Sequence, residues 1–163
     1  MDDPSSNGGN NALFAFLKPG DTVLLPAPSY SVYHACAEQI GARVAYFPCD
    51  EHGQPDVCLI TPQQLTRARL VVLCSPNNPT GTILTQQTLQ RTVAFARQHS
   101  LLVILDRAYA ELQVAPDEGM LRGAGLHLEG AMACMIELHS MSKSCGLAGW
   151  RVGVWGSHWG RRQ

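Results

Sequence analysis

Residues 132–156 read MACMIELHSMSKSCGLAGWRVGVWG, and the order of residue types in this stretch decides the fold. An apolar run over 132–138 has the length and composition of a buried strand. It ends in Ser140-Met141-Ser142-Lys143, opens onto Gly146-Leu147-Ala148-Gly149 and reaches Arg151 eight residues after the lysine. A lysine at the mouth of a strand, flanked by hydroxyls and a guanidinium, suits a ligand with both an aldehyde and a phosphate. The amine can form a Schiff base when burial lowers its pKa. The hydroxyls and the guanidinium can hold a phosphate dianion. By itself the pattern is only suggestive, because lysines after strands are usually solvated.

Two further segments have the same strand-then-polar form. SPNNPTG at 75–81 follows the apolar run 70–74, where two prolines and a glycine end the strand and Asn77 and Asn78 offer amide donors. Alone it reads as an ordinary Asn/Pro turn. Asp106-Arg107-Ala108-Tyr109 follows the five-residue apolar run 101–105. An acid at that position lies at the carboxyl edge of a buried parallel strand, where open α/β sheets place their ligands. Alone it reads equally as a helix N-cap.

Between these segments the chain alternates strand and helix patterns, as an α/β domain requires. Strands are expected over 22–25, 43–47, 70–74, 101–105, 132–138 and 150–155. Helices are expected over 12–17, over 30–40 (closed by Gly41, with Val32, Ala35 and Cys36 inward), over 61–65 (capped by Thr61), and over 85–99. Thr85 caps the last of these, and Leu89, Val93 and Ala96 form its inner face. The Gly-rich stretch 115–130 reads as a mobile loop with a short helix. GAGLHLEG at 123–130 lacks the spacing and the preceding strand of a dinucleotide fingerprint.

In order and spacing, the three motifs resemble the fold-type I pyridoxal-phosphate enzymes, specifically the class I/II aminotransferases. The likeness covers most of 12–156. It implies a three-layer αβα fold with a mostly parallel sheet, that of the PLP-dependent transferase large domain, present in incomplete form. The family motif SxSKxxGLxGxRxG puts the Schiff-base lysine at Lys143 and the phosphate ligands at Ser140 and Arg151. The family's DxxY maps onto Asp106, which pairs with the pyridinium nitrogen, and Tyr109, a donor to the ring hydroxyl. Asn78 shares that hydroxyl, and Tyr30 in PAPSYSVY at 26–33 stacks on the ring. The implied catalytic group is therefore Lys143, Asp106 and Tyr109. The cofactor-binding group is Tyr30, Asn78, Asp106, Tyr109, Ser140, Lys143 and Arg151.

The resemblance further implies pyridoxal 5'-phosphate as cofactor, an amino acid and a 2-oxo acid as substrates, and a homodimer. The motif variant is most similar to branches acting on aspartate, alanine, aromatic amino acids or LL-diaminopimelate. A C–S/β-lyase of the same fold begins with the same proton abstraction and is the alternative. A non-catalytic remnant is the third reading, because family members run to more than twice this length. On that basis residues 1–11 are expected to be a flexible N-terminal segment, 12–156 a partial large domain, and 157–163 a truncated tail without the small domain. Gly8-Gly9-Asn10-Asn11 stands where relatives have a Ser/Thr-containing phosphate loop, and Ser31 where many have proline.

Composition narrows the class. A net charge of −1, with 15% charged and 45% hydrophobic residues, gives no electrostatic reason for nucleic acid or an anionic membrane. There is no apolar run of spanning length and no signal-peptide pattern at the start, so a cytoplasmic enzyme is expected. Six cysteines without CxxC spacing read as reduced thiols, and six dispersed histidines do not suggest a metal site. His139 is the histidine beside the chemistry. Exposed apolar patches are expected near 13–17 and 150–159.

Overall fold

The computed structural model describes residues 12–112, 119–121, 123–140 and 153–156, apart from the side chain of Trp155. Six strands form one sheet: β1 (Thr22–Ala27), β2 (Arg43–Pro48), β3 (Ala68–Cys74), β4 (Leu102–Asp106), β5 (Met135–Ser140) and β6 (Gly153–Gly156). Their order is β2-β1-β3-β4-β5-β6. The first five run parallel, and β6 closes the edge antiparallel to β5. Among the described residues three α-helices accompany them: α1 (residues 12–16), α2 (Ser31–Ile40) and α3 (Gln86–Gln98).

The continuous apolar runs are explained by burial on both faces of the sheet. Leu24, Val71, Leu73, Val103, Leu105 and Met135 point to the α3 side, where Leu89, Val93 and Ala96 meet them. Val23, Leu25, Val72, Ile104, Ile136 and Leu138 point to the other side, against α1 and α2. This is the expected three-layer αβα arrangement.

Several local expectations shift. The inner face of α2 is Tyr33, Cys36 and Ala37, while Ala35 is exposed. The helix begins at Ser31, and Gly41 closes it in the left-handed region (φ 78°), its N–H bonding the carbonyls of Ala37 and Glu38. The helix expected over 61–65 is one turn only. Thr61 and Gln64 cap each other reciprocally, with Gln64 N–H 3.3 Å from Thr61 Oγ1 and Thr61 N–H 2.8 Å from Gln64 Oε1. Arg67 then turns left-handed (φ 57°) and starts β3. Within 115–130 the described residues hold a 3₁₀ turn, Gly125–His127. A second, Ala131–Ala133, delays β5 to Met135. Of the apolar patch near 13–17, Leu13 and Leu17 are buried, while Phe14 and Phe16 are exposed. Val154 is exposed, and Trp150 and Trp159 lie outside the described residues.

The topology creates one special place. From β1 the chain crosses to β2 on one side, and β3 then takes the other side. The crevice beyond the carboxyl ends of β1 and β3 is the switch point at which open α/β sheets bind ligands.

Candidate active site

Three loops and the end of a fourth strand meet at that carboxyl edge. Pro28 to Tyr30 leave β1, Ser75 to Asn78 leave β3, Asp106 to Tyr109 leave β4, and Ser140 ends β5. Tyr30, Asn78, Asp106, Tyr109 and Ser140 therefore come from separate parts of the chain to one edge. Lys143 and Arg151 lie outside the described residues, as does the Gly8–Asn11 segment.

Asp106 is the best-defined member. Its carboxylate is buried, continuing β4 onto the face covered by α2. Oδ1 accepts the backbone N–H of Ala108 at 2.9 Å, and Oδ2 accepts the hydroxyl of Tyr33. Both readings of this acid therefore hold, since it closes the local turn and also faces the site. These two donors fix the orientation of the carboxylate at the end of β4.

Tyr33 was not singled out by sequence reasoning. Burial, then the Asp106 charge, push its phenol well above the ordinary value, so the hydroxyl keeps its proton and remains a donor. Its ring also meets that of Tyr30 edge-on, centroids 5.8 Å apart at 88°. The i, i+3, i+4 set Tyr33, Cys36, Ala37 signals an inward face, but nothing local signals a partner 73 positions away.

On the neighbouring loop, Asn78 Nδ2 lies 3.5 Å from the hydroxyl of Tyr109, which puts two donors side by side. The SPNNPTG loop is tied to itself and to the sheet. Asn77 N–H bonds the carbonyl of Thr82 at 2.8 Å, Gly81 N–H that of Asn77 at 2.7 Å, and Ser75 N–H that of Asp106 at 2.9 Å. Gln54 holds the loop's exit, donating to the carbonyl of Ile83 and accepting from Thr85 N–H, both at 2.9 Å. Asn77 Oδ1 is buried without a hydrogen-bond partner among the described residues. Cys74, just before the loop, has its thiol pushed up to about 12 by burial and then by Asp106, so it stays protonated and weakly nucleophilic.

A second cluster lies on the opposite face of the same strand ends. Glu137 and Arg107 are both buried, with Arg107 Nε 3.8 Å from Glu137 Oε1. His139 Nε2 lies 2.9 Å from the same oxygen, and Leu126 N–H donates to Oε2 at 3.1 Å. Burial lowers the Arg107 pKa against the pull of Glu137, and among the described residues its Nε and Nη1 lack hydrogen-bond partners. His139 thus supports the strand that carries Ser140.

The donor set fits a phosphorylated pyridine aldehyde. There is an anion for a protonated ring nitrogen, an amide and a phenol for a ring oxygen, an aromatic face and a terminal serine.

Comparison with known proteins agrees with this geometry. The family described as aminotransferase class I and II matches residues 4–158. The LL-diaminopimelate aminotransferase of Dehalococcoides mccartyi is 35% identical over 152 residues, covering 92% of this chain and 38% of that protein. LL-diaminopimelate aminotransferase 2 of Trichormus variabilis is 35% identical over 146 residues, covering 88% and 37%. Among solved structures, a probable N-succinyldiaminopimelate aminotransferase from Thermus thermophilus superimposes with a TM-score of 0.85 at 34% identity, covering 94% of this chain and 41% of that one. Substrate-bound BacF from Bacillus subtilis gives a TM-score of 0.84 at 31% identity, covering 93% and 38%. The chain thus spans roughly two-fifths of the length of these relatives, 38% of the first.

Proposed function

The chain belongs to the class I and II aminotransferases, and from that premise we propose that residues 12–156 are part of the large domain of a pyridoxal-phosphate-dependent aminotransferase, which moves an amino group from an amino acid to a 2-oxo acid. The observation that carries this reading is the buried Asp106 carboxylate, held by Tyr33 and Ala108 at the switch point beside the Asn78–Tyr109 pair.

When bound, the cofactor supplies an aldehyde for attachment and an electron-withdrawing ring. The chain's own residues do the rest. Asp106 would accept a hydrogen bond from the protonated ring nitrogen and hold the proton there, with Tyr33 orienting the carboxylate. Asn78 and Tyr109 would donate to the ring hydroxyl, Tyr30 would supply an aromatic face for the ring, and Ser140 and Arg151 would bind the phosphate. Lys143 would anchor the cofactor through its amine, and the same amine would serve as general base toward the substrate Cα proton.

The relatives named LL-diaminopimelate aminotransferase make LL-diaminopimelate the first amino donor to assay. By the same family reasoning the enzyme is a cytoplasmic homodimer. Among the described residues, no helix is long and apolar enough to cross a membrane.

The test is titration with pyridoxal phosphate, borohydride reduction and peptide mapping. The expected result is a visible absorption band and a single pyridoxyl group on Lys143, both lost in Lys143→Ala. Label spread over surface lysines, or an adduct surviving Lys143→Ala, would overturn the assignment.

A further inference from the structure

The opposite edge of the sheet holds a second concavity. A cleft of about 620 Å³ opens at the amino ends of β1, β3, β4 and β5. That volume falls within the range of small-ligand sites, about 300–1,000 Å³. Strands rise about 3.3 Å per residue, so the length of β3 separates this cleft from the switch-point site by roughly 20 Å. No ligand reaches both.

The charge of the cleft is unlike that of the chain. Lys18, Arg67, Arg69 and Arg97 line it, four of the twelve lysines and arginines in a protein whose net charge is −1. Asp21 is the carboxylate among the lining residues, and it is buried at the floor. Its Oδ1 lies 3.4 Å from Arg67 Nη2 and 3.8 Å from Arg69 Nε, while Oδ2 accepts the N–H of Lys18 at 3.1 Å. One carboxylate thus orients two guanidiniums through one nitrogen each, while both side chains stay about 60% exposed (60% and 63%). A guanidinium carries five N–H donors, so most of this capacity faces the cleft and solvent.

Arg97 is positioned differently. It packs over Gly130, where a Cβ would come within 2.6 Å of Nη1, and its charge lowers the Cys134 thiol pKa against the larger upward effect of burial. The carboxyl end of α3 contributes about half a negative charge nearby. The cleft remains cationic after that subtraction. Phe16 and Leu101 give it an apolar wall.

We infer that this cleft is a binding site for a small polyanion, a phosphorylated or polycarboxylate metabolite gripped by Arg67, Arg69 and Arg97. A nucleic acid would need a basic surface extending well beyond a concavity of this size, whereas preset guanidinium forks match the oxygens of a compact anion.

The test is calorimetric titration of the protein with pyrophosphate and, separately, with citrate. Arg67→Gly and Arg69→Gln are the variants. Arg67 sits at φ 57°, so glycine removes the charge at a backbone conformation glycine prefers, and a loss of binding is not a loss of fold. The expected result is saturable uptake at millimolar concentration or below, weakened about five-fold or more in each variant. Tighter pyrophosphate would assign the phosphorylated class, and tighter citrate the polycarboxylate class. Absence of saturable uptake of either anion, or equal affinity in parent and variants, would overturn the inference. Equal affinity would place the anion elsewhere, for example at the Ser140 edge.

Discussion

Tyr33→Phe removes one oxygen from a site where both partners are buried, Tyr33 at 2% exposure and Asp106 at 4%. The hydroxyl donates to Asp106 Oδ2 while Ala108 N–H donates to Oδ1. Burial, then the Asp106 charge, hold the phenol proton well above its ordinary range, so the bond is present across neutral pH. A hydrogen bond to a charged group contributes about 1.5–3 kcal/mol, and the variant leaves a buried carboxylate short of a donor. The expected destabilisation is therefore about 2–3 kcal/mol. In a domain of this size each kcal/mol lowers Tm by about 2–4 °C, which gives a fall of roughly 4–12 °C. Circular dichroism melts at pH 7 measure it directly. A double-mutant cycle with Asp106→Ala isolates the pair, because the cavity left by the acid is common to both arms. The coupling energy should be about 1.5–3 kcal/mol, and a value below about 0.5 kcal/mol would refute the reasoning. Cofactor affinity gives a second readout, since Tyr33→Phe should weaken pyridoxal phosphate binding without abolishing the Lys143 adduct.

Other outcomes follow from the same structure. In the folded protein exposed Cys58 should react with iodoacetamide before buried Cys74, and mass mapping of a short pulse that finds Cys74 labelled first would contradict the assigned environment. The Cys74 thiol rises from 9.0 to about 12 on folding, so above pH 9 the unfolded chain binds fewer protons than the folded one. Stability should then fall as pH rises through that window, by about 1.4 kcal/mol per pH unit for this group, and be unaffected by it below pH 9. Cys74→Ala should flatten the alkaline limb in urea titrations, and an unchanged slope would count against the shift. Glu137→Gln strands the buried Arg107 charge and should cost about 3–5 kcal/mol in urea unfolding, whereas Glu137→Gln combined with Arg107→Met should recover much of it. If the single variant is as stable as the parent, Arg107 is compensated by another group.

The elements most legible in the sequence were those specified by local chemistry. Runs 70–74 and 101–105 are apolar at every position because both sheet faces are covered, and β3 and β4 lie there. Thr85 caps α3 through its own side chain, accepting Thr88 N–H at 3.0 Å, a bond confined to four residues. Tyr30, Asn78, Asp106, Tyr109 and Ser140 were named as a set by the resemblance of their motifs to the family, and they come to one edge because each ends or follows a parallel strand. On the inner face of α2, Cys36 is buried and Val32 packs against the core as expected, whereas Ala35 is exposed and Tyr33 and Ala37 are buried. Neighbouring positions lie about 100° apart around a helix, so which of them turns inward is resolved only by docking against the sheet. The 61–65 segment has a genuine capping pair, but its continuation depends on where β3 must begin.

The sequence by itself determined the strand-and-helix alternation, which depends on local patterns of apolarity, glycine and proline, while the residues expected at the carboxyl edge came from motifs that resemble those of a known family. Only the tertiary structure decided which of those residues touch. Tyr33 reaches Asp106 across 73 positions, Arg107 meets Glu137 across the β4–β5 pair, and Arg67 and Arg69 meet Asp21 at the far edge. Such contacts depend on strand order and helix rotation, which are set by the packing of the whole sheet rather than by any window of the chain.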